Sequence, residues 1–313
     1  MTVIKRAFVW LFSQPYLLLF LTTLFWAGNA IAGKLAIGHI SPFMLTTLRW
    51  LLTVTIILPF ALPHLKRDWQ TLRPNLIFLF VLGTIGFSAF NNMMYTALTH
   101  TSTINVAIVQ ASLPLFIFAL NFLWFRLSTT RNQIIGFPIT VIGVMIITSK
   151  GSLEAFLNLN FNFGDILMIA AIASYGVYSV FLKNKPDVHW LSLMTVLAYS
   201  SFLTSIPVAA FEIATQKAIW PDLIGITIVV YTAICASLMA QVFWIRGVEL
   251  IGSNRAAMFI NLVPVLGTLM AILFLSENFE FYHGIGMATI IGGVWIAQQK
   301  ARTKAVDAPA PQQ

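Results

Sequence analysis

The stretch Leu223-Ile-Gly-Ile-Thr-Ile-Val-Val-Tyr-Thr-Ala-Ile-Cys-Ala-Ser-Leu-Met-Ala-Gln-Val-Phe-Trp244 decides the fold class of this chain. Its 22 residues include no charged side chain. A helix of that length extends about 33 Å at 1.5 Å per residue, and the hydrocarbon core of a bilayer is roughly 30 Å thick. The stretch therefore predicts a helix that crosses a membrane.

Apolar runs of similar length occupy most of the remaining sequence. Of the 313 residues, 58 % are apolar and 9 % are charged, whereas about a quarter of the residues in soluble domains are charged. The mean hydropathy is +0.86. We therefore predict an all-α membrane protein of ten transmembrane helices. The predicted spans are Tyr16–Leu35, Pro42–Leu62, Asn75–Ala97, Ile104–Phe125, Gln133–Thr148, Gly164–Leu182, Leu191–Phe211, Leu223–Trp244, Ala256–Leu275 and Tyr282–Ala297.

Lysine and arginine residues are distributed unevenly between the two ends of these spans. When the connections are assigned to alternating sides, fourteen of the 18 fall on the side that carries both termini, and Lys34, Lys150 and Lys217 fall on the other. By the positive-inside rule both termini are cytoplasmic, and we predict a multi-pass protein of a bacterial inner membrane. The same distribution accounts for the net charge of +8 without a nucleic-acid partner.

The first span could be mistaken for a signal peptide, because Lys5 and Arg6 precede it. It has full spanning length, so we expect it to be retained. Cys235 is the only cysteine, which excludes an intramolecular disulfide.

The sequence repeats itself at an offset of about 150 residues. Trp26 aligns with Tyr175 at an offset of 149, and Pro114 aligns with Pro264 at 150. Each copy has five predicted spans, and because five is odd, the second copy enters the membrane from the opposite side. We therefore predict two inverted five-helix repeats, an arrangement found in transporters. The predicted segments are a cytoplasmic N-terminal segment (1–14), a first repeat (15–149), a periplasmic linker (150–163), a second repeat (164–299) and a disordered cytoplasmic tail (300–313).

Ordered motifs in both halves resemble those of a known family. They are Trp26-Ala-Gly-Asn-Ala-Ile-Ala-Gly-Lys34, Ser41-Pro-Phe, Leu48-Arg49-Trp50, Tyr95-Thr-Ala-Leu98, Thr101-Ser102 and Pro114, followed by Gly247 to Ser253, Pro264, Glu277, Gly286 and Gly293. In this set the chain resembles the EamA-type branch of the drug/metabolite transporter superfamily. The resemblance implies a cavity between two five-helix repeats, with the second helix at its periphery. Two positions depart from the family pattern, Trp124-Phe-Arg-Leu127 in place of a glutamate and Trp190-Leu191 in place of Ser-Pro.

Polar and aromatic side chains deep in the spans are the candidates for substrate binding. Without water, an unpaired polar group in the membrane costs several kcal/mol, so such side chains need partners or an aqueous cavity. Hydrogen bonding between helices is the alternative explanation for the amides. The predicted substrate-binding residues are Trp26, Asn29, Phe87, Asn91, Asn92, Gln110, Tyr175, Tyr178, Gln241, Trp244 and Asn261.

Arg49 is the one charged residue well inside a predicted span. It is a candidate anchor for an anionic group, since arginine binds carboxylates bidentately. The alternative is a structural role, in which it reaches toward the interface or ties helices together. Pro114 and Pro264 are predicted to kink their helices and shape gates, with simple packing as the alternative.

Glycines of the fifth and tenth spans form small-residue stripes. We expect helix packing or a homodimer face there. The glycines are Gly136, Gly143, Gly286, Gly292 and Gly293.

The acidic residues and histidines all fall in predicted loops or at span ends. Coupling to protons or sodium generally uses such groups inside the membrane, so we predict a gradient-driven carrier. His100 and Glu277 are the candidates for exceptions.

These features together predict a carrier of small metabolites that works by alternating access, most simply an exporter of amino acids, aromatic ones included, or of related metabolites. Import of a nucleotide-like, vitamin or sugar metabolite is the alternative, and an open channel is another. A membrane-embedded enzyme would need clustered acids, histidines or a nucleophile with its base. The sequence has no such cluster and no metal-ligand spacing, so we predict no catalytic residue, no cofactor and no metal.

Overall fold

The computed structural model describes residues 10–101, 106, 109–152, 154, 157, 162–275 and 279–299. Within these residues the secondary structure is helical, and no strand occurs. The predicted tail 300–313, residues 1–9 of the predicted N-terminal segment and Glu277 lie outside the described residues.

The described helices follow one another along the chain. Three of them, α3, α8 and α9, contain a π-helical or 3₁₀ segment between two α-helical parts. The helices are α1 (Pro15–Leu35), α2 (Pro42–Leu72), α3 (Leu76–Gly83, Thr84–Ala89 and Phe90–His100), α4 (Val109–Phe125), α5 (Arg131–Thr148), α6 (Phe163–Phe181), α7 (Trp190–Ala214), α8 (Leu223–Tyr231, Thr232–Met239 and Ala240–Ile251), α9 (Ser253–Met258, Phe259–Asn261 and Leu262–Leu275) and α10 (Phe281–Gln298).

Six helical segments of the described chain are long and apolar enough to cross a membrane. One of them, Pro42–His100, is a run of 59 residues that includes both α2 and α3. Val109–Phe125 is a shorter apolar helix. The chain is therefore a multi-pass membrane protein, and ten spans stay a prediction.

The outward faces of these helices are apolar. Ile77, Leu223 and Phe281 each expose about 80 % of their surface, which would be costly in water and is favourable against lipid.

Helices α2 and α7 pack side by side in antiparallel orientation, and an acid near the end of each one caps the start of the other. Glu212, in the last turn of α7, accepts a 2.6 Å hydrogen bond from Ser41 Oγ at the start of α2. Asp68, near the end of α2, accepts hydrogen bonds from Ser192 Oγ (2.7 Å) and the backbone N–H of His189 (2.9 Å) at the start of α7. These acids satisfy helix N-terminal donors.

Helices α5 and α10 form a second antiparallel pair through their glycines. A Cβ atom added to Gly136 would lie 2.5 Å from Gly293 O, and one added to Gly143 would lie 2.8 Å from Gly286 O. The small-residue stripes of α5 and α10 thus pack against each other within one chain, which agrees with the helix-packing alternative. A homodimer stays a prediction. Gly292 alone of the five has no neighbour within 4 Å of an added Cβ.

Candidate substrate-binding site

A central cavity lies where α1, α2, α3 and α4 of the first half meet α6, α8 and α9 of the second. The space inside it that the centres of water-sized molecules can occupy is about 30 Å³. The lining residues are Trp26, Asn29, Ala30, Arg49, Phe90, Asn91, Met94, Gln110, Leu113, Tyr175, Ala236, Gln241 and Ile260. Of the predicted site residues, Trp26, Asn29, Arg49, Asn91, Gln110, Tyr175 and Gln241 thus meet around one space.

Arg49 reaches this cavity from α2 with only 2 % of its surface exposed. Its Nε donates a 2.8 Å hydrogen bond to Ser237 Oγ on α8. Its Nη1 donates to Asn91 Oδ1 on α3 (3.1 Å), to Asn29 Oδ1 on α1 (3.4 Å) and to the hydroxyl of Tyr95 on α3. The resemblance implied that α2 lies at the periphery, but its arginine side chain reaches the centre and links three other helices.

Two further hydrogen bonds orient the hydrogen-bond partners of Arg49. The Tyr95 hydroxyl donates to Asn29 Oδ1 at 2.9 Å. The Asn91 amide nitrogen donates to the backbone oxygen of Phe87 at 2.6 Å, so its oxygen is turned toward the guanidinium. Tyr95, Ser237 and Phe90 are site residues that sequence reasoning missed. Tyr95 lies in a quoted motif four residues after Asn91, on the same helix face.

Part of the cavity lining is aromatic. Trp26 meets Tyr175 edge to face, with ring centroids 5.6 Å apart, and lies 5.3 Å from Trp244. Phe90 lies 5.1 Å from Tyr175. The Tyr175 hydroxyl donates a long, 3.4 Å hydrogen bond to Gln241 Oε1, which leaves most of the hydrogen-bonding capacity of that amide for an occupant.

Three of the predicted aromatic residues lie behind this aromatic part of the lining. Phe87, Tyr178 and Trp244 are fully buried and do not line the cavity. Phe87 stacks on Trp50 with ring centroids 4.7 Å apart, and Tyr178 meets Phe87 edge to face at 5.2 Å. These rings support the lining residues.

Two predicted amides also lie away from the cavity. Asn261 donates a 2.6 Å hydrogen bond to Thr140 Oγ1 and so joins α9 to α5. Asn92 donates a 3.4 Å hydrogen bond to Ser88 Oγ on its own helix. These bonds, between helices for Asn261 and within one helix for Asn92, use the amide nitrogens, while the Oδ1 atoms of both side chains have no partner among the described residues.

Each half contains a π-helical segment beside the cavity, Thr84–Ala89 in α3 and Thr232–Met239 in α8. Such segments insert one residue into a helix and often occur at functional sites. In α8 the segment carries Ala236 and Ser237 to the cavity and to Arg49. The backbone carbonyl of Ala233 in this segment accepts a 3.1 Å hydrogen bond from Thr53 Oγ1 on α2. Sequence periodicity gave no signal for either segment.

The two predicted kink prolines each follow a break in their helix. A turn at Ser112 precedes Pro114, and the 3₁₀ segment Phe259–Asn261 precedes Pro264. A proline clashes with the carbonyl four residues earlier, and in both helices the residue at that position, Gln110 or Ile260, lines the cavity.

A second cavity lies beside the first, between the ends of α1, α3 and α7 and the start of α2, with Glu212 among its lining residues. Tyr95 lines this second cavity while its hydroxyl binds Arg49. A third cavity lies at the opposite end of α7 and α8 and includes Lys185, Arg246 and Glu249, which form ion pairs of 2.7 and 2.9 Å. Among the described residues, no three His, Cys, Asp or Glu side chains are grouped as a metal site.

The sequence matches one family model twice, over residues 13–149 and 162–298, and the description of that family is EamA-like transporter family. The chain belongs to this family. Each match falls on one half of the helical order α1–α10, so the cavity lies between the two EamA-like units.

Relatives of this EamA-like transporter cover most of its length. The uncharacterized transporter YetK of Bacillus subtilis is 26 % identical over 277 residues, which cover 88 % of this chain and 84 % of the relative. A probable amino-acid metabolite efflux pump of Salmonella typhimurium is 25 % identical and covers 88 % and 92 %. A solved crystal structure superposes with a TM-score of 0.73 at 20 % identity, covering 91 % of this chain and 96 % of the other, and has the same fold.

Proposed function

We propose that this EamA-like transporter carries small metabolites across a bacterial inner membrane by alternating access. The observation that carries the proposal is that equivalent positions of the two halves meet at one cavity. Asn91 and Gln241 are 150 residues apart, Trp26 and Tyr175 are 149 apart, and all four line it. A site between two repeats opens to either side when the halves exchange conformations.

The proposed topology has ten spans in two inverted five-helix repeats, with both termini in the cytoplasm. The antiparallel packing of α2 against α7 supports this, because the second helices of two inverted copies run in opposite directions. The 59-residue segment Pro42–His100 supports two spans, since a straight helix of that length would extend almost 90 Å.

The proposed cargo is an amino acid, aromatic ones included, or a related metabolite, and the proposed direction is export. The aromatic wall of Trp26, Phe90 and Tyr175 supports an amphipathic cargo. The name of the relative in Salmonella typhimurium, a probable amino-acid metabolite efflux pump, supports the class and the direction.

We further propose that transport is driven by the gradient of the cargo. The lining of the central cavity, in the part of the chain that the structure describes, contains no acid and no histidine. In proteoliposomes, an imposed proton gradient should leave the initial rate unchanged while the membrane potential is clamped. A faster initial rate under the proton gradient would contradict transport that is driven by the cargo gradient alone.

The experiment that tests the carrier is counterflow in proteoliposomes across labelled amino acids, their oxo and hydroxy acids, nucleosides and vitamins. A carrier accumulates labelled cargo transiently when unlabelled cargo is trapped inside, and the accumulation saturates. Gln241→Ala should reduce it, while Gln70→Ala, at an exposed position of α2, should not. Conductance in planar bilayers without counterflow would favour a channel and overturn the proposal.

A further inference from the structure

The guanidinium of Arg49 is buried without a counter-charge. Its hydrogen-bond partners Ser237, Asn29, Asn91 and Tyr95 are all neutral, and no described carboxylate forms an ion pair with it. Its bonds leave from Nε and Nη1, whereas Nη2 makes no hydrogen bond with the described residues. Two N–H donors of a buried cation therefore remain for an occupant of the cavity.

Neutral partners compensate only part of the cost of burying this charge. The Arg49 guanidinium carbon lies 5.5 Å from the ring centroid of Trp50 and 5.9 Å from that of Tyr95, and such cation–π contacts add some stabilisation. Removing a charge from water still costs several kcal/mol, which a full opposite charge offsets far better than dipoles do. The network of oxygens orients the guanidinium without neutralising it.

We propose that the cargo is an organic acid of net charge −1, whose carboxylate binds Arg49 Nη2. This inference rests on the proposed carrier function and narrows its substrate class. A single cation among the described lining residues matches a single negative charge. A phosphate or dicarboxylate would bring a second charge into the cavity without a partner.

The body of this acid is apolar or aromatic. Away from Arg49, the lining offers the rings of Trp26, Phe90 and Tyr175 and the aliphatic side chains of Leu113 and Ile260. An amphipathic acid can therefore place its carboxylate on the guanidinium and its side chain against this wall.

The same charge count favours a monoanion over an amino acid. The ammonium group of a zwitterion needs a carboxylate or several acceptors, and the described lining provides only neutral ones, such as the amides of Gln110 and Gln241. A zwitterion leaves the cavity with the net charge of Arg49, whereas a monoanion neutralises it. Oxo or hydroxy acids thus fit better than amino acids of the same side chain.

The test compares ligands with one body and different charges on the purified full-length protein in detergent. Isothermal titration is performed with phenyllactate, its methyl ester, phenylalanine and phenethylamine, and with the matching sets that carry indole and isobutyl bodies. In at least one set, the free acid should bind 10-fold or more tightly than both its ester and the amino acid. The proposal is overturned if no acid exceeds its ester, or if the amino acid binds as tightly as the acid.

A variant series connects this preference to the arginine. Arg49→Gln should weaken acid binding about 30-fold or more and leave ester binding unchanged, as expected for loss of a buried charge pair. Arg73→Gln, at an exposed position in the 3₁₀ turn that follows α2, is the matched control and should bind like the wild type. If Arg49→Gln binds the acid normally, the proposal fails. If it does not fold, the acid and ester comparison on the wild-type protein decides the question alone.

Binding and transport separate this inference from the carrier function. Acid binding that depends on Arg49, without counterflow of any acid, would refute the carrier and leave the anion site standing. Counterflow of phenylalanine that persists in Arg49→Gln would support the carrier and overturn the anion site.

Discussion

Equivalent positions of the two halves carry different chemistry around the cavity. At an offset of 149, Arg49 of the first half corresponds to Ala198 of the second, and Asn29 corresponds to Tyr178. The first half therefore supplies the cation and three of its four hydrogen-bond partners, and the second half supplies the fourth, Ser237. At the positions equivalent to Arg49 and Asn29, the second half has an alanine and a phenol ring. The framework around them is alike in both halves, since each has a π segment, a broken helix before a proline and an acid that caps its partner.

This difference indicates a division of tasks. A symmetric framework allows the halves to exchange conformations at similar free energy. The lining is asymmetric in charge, because its one cation among the described residues comes from the first half, and it combines polar groups with the rings of Trp26, Phe90 and Tyr175, which suits the proposed amphipathic cargo. The following experiments test that division.

The largest difference is expected between the equivalent amides Asn91 and Gln241. Asn91 accepts a hydrogen bond from a buried cation, and bonds to charged groups contribute about 1.5–3 kcal/mol. Asn91→Ala should therefore reduce the transport rate at low cargo concentration about 10- to 100-fold. Gln241→Ala loses a long neutral contact and should cost about 5-fold or less. Equal losses in counterflow would show that the halves contribute alike.

Adding a methyl group at the glycine contact between α5 and α10 should destabilise the protein equally from either half. Gly143 and Gly293 are 150 residues apart. A Cβ added to Gly143 would lie 2.7 Å from Ile290 Cγ1, and one added to Gly293 would lie 2.6 Å from Thr140 Cγ2. Gly143→Ala and Gly293→Ala should each destabilise the protein by about 1–3 kcal/mol through overpacking. Thermal unfolding in detergent measures this, with Gly292→Ala as the control that meets no atom within 4 Å. A normal melting temperature in either glycine variant would contradict the close approach.

Removing a phenol hydroxyl should weaken cargo binding in the first half and leave it unchanged in the second. The Tyr95 hydroxyl binds Arg49 and Asn29, so Tyr95→Phe should weaken cargo binding by about 1 kcal/mol, or roughly 5-fold. The Tyr178 hydroxyl has no hydrogen-bond partner among the described residues, and Tyr178→Phe should bind cargo normally. Titration with the tightest-binding acid measures both, and a larger loss in Tyr178→Phe would reverse the assignment.

The smallest effect is expected on the pH dependence of stability, through His189 at the start of α7. Burial, followed by the charges of His64 and Arg67, lowers the pKa of His189 below its usual value of 6.5. As the pH falls below 6.5, His189 binds a proton in the unfolded chain before it does so in the folded protein. The free energy of unfolding that His189 contributes is therefore fully present above pH 6.5 and is lost as the pH falls toward the lowered pKa. Its counterpart at an offset of 149 is Ile40, which does not titrate.

The corresponding measurement is the melting temperature at pH 7 and at pH 5. His189→Asn keeps a side-chain acceptor at the N-cap and should lose slightly less stability over this interval than the wild type does. An identical loss in both proteins would remove His189 from the pH response.

Several features could be predicted from the sequence because they depend on patterns along one chain. The apolar runs predicted the helices, and the motifs through both halves predicted the family. Trp26, Tyr175 and Gln110 could be proposed for the cavity because polar or aromatic side chains inside apolar spans stand out. Tyr95 was not proposed for the cavity, because its motif was used only to recognise the family.

The sequence by itself determined that this protein is helical, lies in a membrane and contains one unit twice, because hydrophobicity and repetition are properties of the linear chain. Only the tertiary structure decided which polar residues face the cavity. A π segment adds one residue, which turns the rest of its helix by about 100°, so a regular helical pattern cannot assign the faces of Asn91 and Gln241. The neutral surroundings of Arg49 likewise arise from α1, α3 and α8, and contacts between helices so distant in sequence exist only once they have packed together.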